Sequence, residues 1–463
     1  MLDSVLIWAD KNHRRWLEDL RHWLAIPSVS TQESHDADVA AAAEWAMFNL
    51  RGIGLTAELI PTARHPCVFA TTPADLCPPQ APHILFYGHY DVQPAQIEDG
   101  WATPPFTPTV KNGDLIARGA SDDKGQVHAH LAALLAWREI ASELPVRLTV
   151  LLEGEEEIGS INLPTVLKQR KDELKSAQSL IISDCNQFAP GVPAITCGLR
   201  GLMYYQMDMH GPAADLHSGL FGGAVANPAN ALVEMLSRMH DGQGRVTVPG
   251  FYDDVAVVDE TLRRQWRSLP FTDDQFAHEA GIKTPFGEAG YTTLERKWIR
   301  PTLDINGLWS GYQGPGAKTV LPARASAKLS MRLVPNQDPR KIASAFEAFI
   351  QRITPPGVTV TLTALGASSA ALTPTDSPAM QAAAEALKIG FGQDPVYVRE
   401  GGSIPVVGWF KEILGLDAVM LGFGLPDDHI HGPNEKLNLE CYYAGIRTAA
   451  ALYGILGQKL QSR

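Results

Sequence analysis

Cysteine is scarce in this 463-residue chain: five residues (67, 77, 185, 197, 441) are scattered along it and none forms a C-x-x-C pair. That spacing argues against a disulfide framework and a thiolate-built zinc site. No run approaches the roughly 18 apolar residues that a membrane-spanning helix needs. The opening stretch MLDSVLIWADKNHRRW lacks the apolar core of about 7–15 residues that marks a secretory signal. Positive charge is in deficit too, with 39 Lys and Arg against 51 Asp and Glu and a formal net charge of -12. Such a balance speaks against nucleic acid or an anionic membrane as partner. Internal repeats and low-complexity tracts are also missing. What remains is the expectation of a reduced, cytoplasmic, soluble globular protein, and 45% hydrophobic with 19% charged residues suits that class.

Several short apolar runs read as buried strands: HILFYGHY (83–90), VRLTVLLEG (146–154), SLIISD (179–184) and DAVMLGFG (417–424). Helical patterns lie among them, notably GQVHAHLAALLAWREIA (125–141) and AEWAMFNLRGIG (43–54), the latter ending on glycines as helices often do. Strands alternating with helices predict an α/β domain with a mostly parallel sheet flanked by helices. From about Tyr204 the texture changes. MYYQMDMH (203–210) and SAKLSMRLVP (326–335) alternate with period two, the mark of half-exposed strands, and NPANALVEMLSRMH (227–240) is a helix opened by an Asn cap and Pro. Residues 241–325 read as irregular. After PTDSP (374–378) the α/β texture resumes. The expected organisation is therefore one α/β domain, 1–200 and 376–463, with a smaller α+β domain, 201–375, inserted in it.

Five polar stretches share a placement. GHYDVQP (88–94), EGEEEIGS (153–160), ISDCN (182–186) and DDHIHGPNEK (427–436) follow apolar runs, and SDDKG (121–125) precedes the long helix. In an open parallel sheet, ligands bind beyond the carboxyl ends of the strands, so these distant segments would converge. Each alone has a bland explanation: a structural His, a solvated acidic patch, an Asp pair capping a helix. Together they are harder to dismiss, because adjacent buried carboxylates without cations would protonate. Two imidazoles and three carboxylates, one of them bridging, could hold two divalent ions about 3.5–4 Å apart. Mixed imidazole and carboxylate ligation suits Zn²⁺, with Mn²⁺ or Co²⁺ as alternatives. Asp91, two residues after His89, is placed to orient that imidazole. At this level EGEEE offers three candidate acids and HIH two candidate imidazoles. His128 and His130, in the Ala/Leu helix, read as structural.

In order and spacing, GHYDVQP, GASDDKG, EGEEEIGS, SD, EGGSIP and LPDDHIHGPNEKLN resemble the aminoacylase/carboxypeptidase/carnosinase family of dinuclear zinc peptidases. DLHSGLFGG (215–223), PGFYDDV (249–255), GPGAKTVLP (314–322) and SMRLVPNQDP (330–339) are similar to its cytosolic dipeptidase, carnosinase-like branch. The resemblance implies that His89, Asp122, Glu157, Asp184 and His431 bind two divalent metals, with Asp122 bridging. It implies Glu156 as general base acting on a water between the ions, supported by Asp91. His217 and Thr319 would serve substrate across a homodimer formed through the inserted lid/dimerisation domain, His217 stabilising the oxyanion. Arg332 and Ser403 would hold the substrate's terminal carboxylate. The implied activity is hydrolysis of dipeptides or very short peptides with a free C-terminus. An N-acyl amino-acid hydrolase or a carboxypeptidase with the same centre is the alternative, and a non-catalytic binder is a weaker one.

Overall fold

A computed structural model describes residues 1–402 and 404–460. The run Ile84-Leu85-Phe86-Tyr87 lies in a strand, His83–His89, in which all seven residues are buried. A strand covered on both faces needs apolar side chains pointing both ways, which is why the run shows no alternation. Its parallel neighbours are Arg147–Glu153 on one side and Ser179–Ile182 on the other, and Ala418–Leu421 runs parallel to the latter. Antiparallel pairings flank this parallel centre: Cys67–Thr71 on Arg147–Glu153, Thr56–Ile60 on Cys67–Thr71, and Ala194–Leu199 beside Ala418–Leu421. The α/β architecture expected from the sequence is thus observed, with its parallel strands at the middle of a mixed sheet.

The chain separates into two compact units. Met1–Cys197, Thr373–Val398 and Trp409–Arg463 form the first, Gly198–Leu372 and Arg399–Gly408 the second. The segment Arg399–Gly408, read from the sequence as part of 376–463, clusters with the second unit.

In the first unit the helices Lys124–Ile140, Pro378–Phe391 and Leu439–Lys459 pack together over the sheet in one apolar core. Lys124–Ile140 is buried on nearly every face, so its two histidines need partners. His128 Nδ1 lies 2.6 Å from Tyr442 Oη, and His130 bridges Tyr453 Oη and Ser183 Oγ, each at 2.8 Å. Helix Asp36–Ile53 starts earlier than expected, with Asp36 and Asp38 in its first turn, and stops at Gly54 in the left-handed region (φ 102°). At Gly422 an added Cβ would overlap the backbone of Cys185, so only glycine lets these two segments meet.

The second unit is a four-stranded antiparallel sheet in the order Thr302–Ser310, Arg324–Leu333, Gly201–His210, Thr359–Ser368. Gly201–His210 alternates buried and half-buried residues throughout, as its period-two pattern requires. Helices Pro228–Ser237 and Pro339–Ile353 supply Leu232, Met235, Phe346 and Ile350 to the core beneath the sheet's apolar face. Asn227 caps the first of them by accepting from Ala229 N. Residues 241–325 are more ordered than expected. Three short helices, Glu260–Arg267, Asp273–Glu279 and Thr293–Ile299, each open on a side-chain cap from Asp259, Thr272 or Thr292. The edge strand Thr302–Ser310 was hidden in the sequence because a bulge between Ile305 and Gly307 breaks its alternation. Among the described residues, no helix is long and apolar enough to cross a membrane.

Candidate metal centre

His89 is the last residue of its buried strand, and Asp91 lies two residues beyond it. Asp184 lies two residues beyond Ser179–Ile182, and Glu157 sits in a short 3₁₀ turn, Glu156–Ile158, beyond Arg147–Glu153. Parallel strands ending at one edge of the sheet bring these side chains together. Asp122 arrives on the loop before helix Lys124–Ile140, with a cis peptide to Asp123, and His431 on the loop after Ala418–Leu421.

Donor atoms of His89, Asp122 and Asp184 lie within 4.8 Å of one another, as do those of Asp122, Glu157 and His431. The two groups share Asp122, and they use different oxygens of it. His89 Nε2 stands 3.0 Å from Oδ1, and His431 Nε2 stands 2.9 Å from Oδ2 and 3.3 Å from Glu157 Oε2. A tetrahedron of Zn–N and Zn–O bonds near 2.0–2.1 Å has edges of roughly 3.3–3.4 Å, so this spacing is close to that of ligands around a small divalent ion. The donor set, one imidazole with carboxylates in each group, fits Zn²⁺ and tolerates Mn²⁺.

The electrostatics point the same way. Burial lifts the Asp184 carboxyl to about 7, with the charge of Asp122 adding to it. Glu156 is raised well above the usual carboxylate range, first by burial and then by Asp184, Asp91 and Glu157, against the opposing pull of His89. Burial would depress the His89 imidazolium, but hydrogen bonds to Asp122 and Asp91 outweigh it and raise its pKa. His431 is pushed up to about 10, chiefly by its hydrogen bonds to Asp122 and Glu157. Burial works against ionised Asp122, yet the two imidazoles hold its carboxyl below the usual range. A cluster with this excess of negative charge stabilises cations, whether protons on imidazole or metal ions that displace them.

The ambiguity of EGEEE resolves by partners. The Glu155 carboxyl is buried and accepts from Thr62 Oγ1, the His65 and Asn162 backbone N–H groups and Asn162 Nδ2, so it clamps the loops around the turn. Glu157 joins a donor group, and Gln93 Nε2 donates to its Oε2 at 2.6 Å. Glu156, between them and half-buried, belongs to neither donor group. Asp91 couples both halves of the site. Its Oδ1 lies 3.4 Å from His89 Nδ1, and its two oxygens accept from the Glu156 and Glu157 backbone N–H groups at 3.2 and 3.0 Å. In HIH, His431 joins the cluster and His429 does not.

Sequence reasoning passed over Glu435. This buried carboxylate accepts from the backbone N–H groups of Gly119, Ser121 and Asp122 and from Arg118. Its only signal was its place in the NEK of the last motif. Glu153, which accepts from Tyr87 Oη, was likewise hidden in the acidic run.

In the second unit, His217 and Thr319 come together on a small ladder. Leu216–His217 pairs with Val320–Leu321, and Ser218 N donates to the Thr319 carbonyl at 3.1 Å. Both residues are exposed, and His217 Nδ1 accepts from Gly219 N. Arg332 is half-buried on Arg324–Leu333, opposite Leu202 and Thr302. Arg200 is nearby: burial first and then the charge of Arg332 lower its pKa to about 10, and its Nε donates to the Gly401 carbonyl at 2.9 Å. Ser403 lies outside the described residues.

The family model described as peptidase family M20/M25/M40 matches residues 85–454, which include all five metal-donor candidates. The chain belongs to this family. It is 35% identical to a Cys-Gly metallodipeptidase of Candida albicans over 94% of this chain and 93% of that protein. It is 31% identical to the Beta-Ala-His dipeptidase of Rattus norvegicus over 98% and 95% of the respective lengths. Its fold is similar to the crystal structure of an M20-family metallo-carboxypeptidase from Sulfolobus solfataricus, with a TM-score of 0.81, 32% identity and coverage of 96% and 99%.

Proposed function

We infer that the chain is a metal-dependent dipeptidase that cleaves dipeptides or very short peptides carrying a free C-terminal carboxylate. One observation carries the reading: Asp122 offers a separate oxygen to each of two imidazole-bearing donor groups, the arrangement a bridged pair of divalent ions requires. His89, Asp122 and Asp184 would hold one ion, and Asp122, Glu157 and His431 the other, zinc being the preferred metal and manganese the next. Bound there, such ions act as Lewis acids that polarise a scissile carbonyl and make water acidic near neutral pH.

The chain's own residues supply the rest. Glu156, unligated beside Glu157, takes the proton of the attacking water on its carboxylate and passes it to the departing amine nitrogen. Asp91 orients His89 through Nδ1, leaving Nε2 to face the centre. The family motifs support Arg332 and Ser403 as the carboxylate-binding pair, since a planar guanidinium suits bidentate recognition. They also support His217 and Thr319 as substrate-binding residues in a homodimer of this chain, and the relatives' dipeptidase names support short peptides as substrates. A cytoplasmic setting accords with the scarce cysteines.

A carboxypeptidase reading has one specific observation in its favour, the likeness to the Sulfolobus enzyme. Metal analysis of untreated protein, run with a panel of dipeptides, longer peptides and N-acetyl amino acids, separates the readings. The expected result is two divalent ions per chain and fastest cleavage of dipeptides. Preference for longer peptides would favour the carboxypeptidase, and preference for N-acetyl substrates would overturn peptide hydrolysis.

A further inference from the structure

We infer that Glu435 and Arg118 form a positioning hub that locks the loop presenting Asp122 to the loop presenting His431, so that the donor group Asp122–Glu157–His431 depends on Glu435 far more than the group His89–Asp122–Asp184 does. This rests on the two-metal reading given above.

The donors are anchored unequally. His89 terminates a fully buried strand, and Asp184 follows another. Their backbones inherit the rigidity of the parallel sheet. His431 has no such support. Its loop runs through left-handed backbone at His429, His431 and Asn434 (φ 55°, 63° and 61°), and its side chain is 55% exposed. Asp122 also lies on a loop. Two of the three donors in the second group therefore owe their position to loop anchors, against one of three in the first.

Glu435 is the principal anchor. Its Oε1 accepts from the N–H groups of Ser121 and Asp122 at 2.9 and 3.0 Å, and its Oε2 from Gly119 N at 3.1 Å and Arg118 Nη1 at 2.6 Å. Arg118 then reaches the His431 loop, donating from Nη2 to the Gly432 carbonyl at 3.2 Å. One buried ion pair thus touches the peptide of the bridging ligand and the residue next to His431. Weaker ties run beside it: Ser121 Oγ donates to Asp428 Oδ2 at 2.9 Å, and Asn434 Oδ1 accepts from Ala102 N at 2.7 Å. These leave the loop in place when the hub is weakened, so the expected loss is one of precision.

Glu435→Gln tests this with little change of shape. An amide has one acceptor oxygen, so two of the four donors would face an NH₂ group. Outer partners of metal ligands are typically worth about 10–100-fold in metal affinity. Metal-stripped protein is titrated with cobalt(II) chloride, followed by calorimetry and by the visible absorption of bound Co²⁺. Wild type should take up two equivalents in two steps. In Glu435→Gln one of the two steps should fall by about 10–100-fold with an altered absorption band, while the other moves far less. Arg118→Lys keeps the charge beside Glu435 but cannot also reach Gly432. It should reproduce the asymmetry more mildly, and it decides the matter if Glu435→Gln does not fold. Equal weakening of both steps, or none, in a folded variant overturns the hub while leaving the two-metal reading intact. Fewer than two equivalents in wild type overturns both.

Discussion

His128 offers a measurement of how completely the first unit excludes water. Burial pushes its imidazole pKa down to about 3, whereas an unfolded chain would hold it near 6.5. The folded state keeps the ring neutral beside Tyr442 and Trp45, and only the unfolded chain takes up a proton as pH falls. For a base whose folded pKa is depressed, the stabilising contribution is present above the unfolded pKa and is lost on acidification. Integrating proton uptake by the unfolded chain gives a loss of about 2 kcal/mol between pH 8 and pH 5, with a limiting slope of about 1.4 kcal/mol per pH unit. The figure depends little on the folded pKa, because the native ring is neutral over that whole range. Glutamine at this position does not titrate. The stability of wild type relative to His128→Gln should therefore shift by about 2 kcal/mol toward the variant from pH 8 to pH 5, on top of any constant offset from lost packing. Urea unfolding of both proteins at pH 8, 7, 6 and 5, at matched metal concentration, reads this directly, since carboxylate and metal linkage cancel in the difference. A difference that stays flat would show that His128 protonates in the folded state, and that the core of helix Lys124–Ile140 is wetter than its burial implies.

Further outcomes follow from the site. Glu156→Gln should retain two metal ions while kcat falls by about 10²–10⁴, the usual worth of a general base; near-normal turnover would remove Glu156 from that role. Glu155→Ala strands the buried His65 N–H and several half-buried donors, a buried one costing about 1–3 kcal/mol, so chemical denaturation should show a loss of roughly 2 kcal/mol or more, and a loss under about 1 kcal/mol would contradict the clamp. His217→Ala should lower kcat by about 10²–10³ with metal content unchanged, the range for loss of an oxyanion donor. If His217 serves a partner's site, wild-type specific activity should also fall on dilution below the dimer dissociation constant. Activity that is independent of both the substitution and dilution would refute that role.

The strands at 83–89, 147–153, 179–182 and 418–421 were legible in the sequence because a strand buried on both faces must be a short unbroken apolar run. Helix Pro228–Ser237 was legible for an equally local reason, an Asn cap followed by Pro. The family motifs named the candidate donors, and the convergence of His89, Glu157 and Asp184 could be anticipated from strand ends. Other features depended on partners far away along the chain. Which acid of EGEEE is structural was decided by Thr62 and His65, some 90 residues earlier, whose donors surround Glu155 and leave its neighbours free for the centre. The edge strand Thr302–Ser310 exists because Arg324–Leu333 pairs with it across a bulge, not because its own pattern demands it. Glu435 took its meaning from backbone N–H groups more than 300 residues away. Periodicity and turn chemistry act over a few residues and are written in order along the chain. Hydrogen-bond partners of buried polar groups are chosen only when the sheet assembles, so they belong to the tertiary structure.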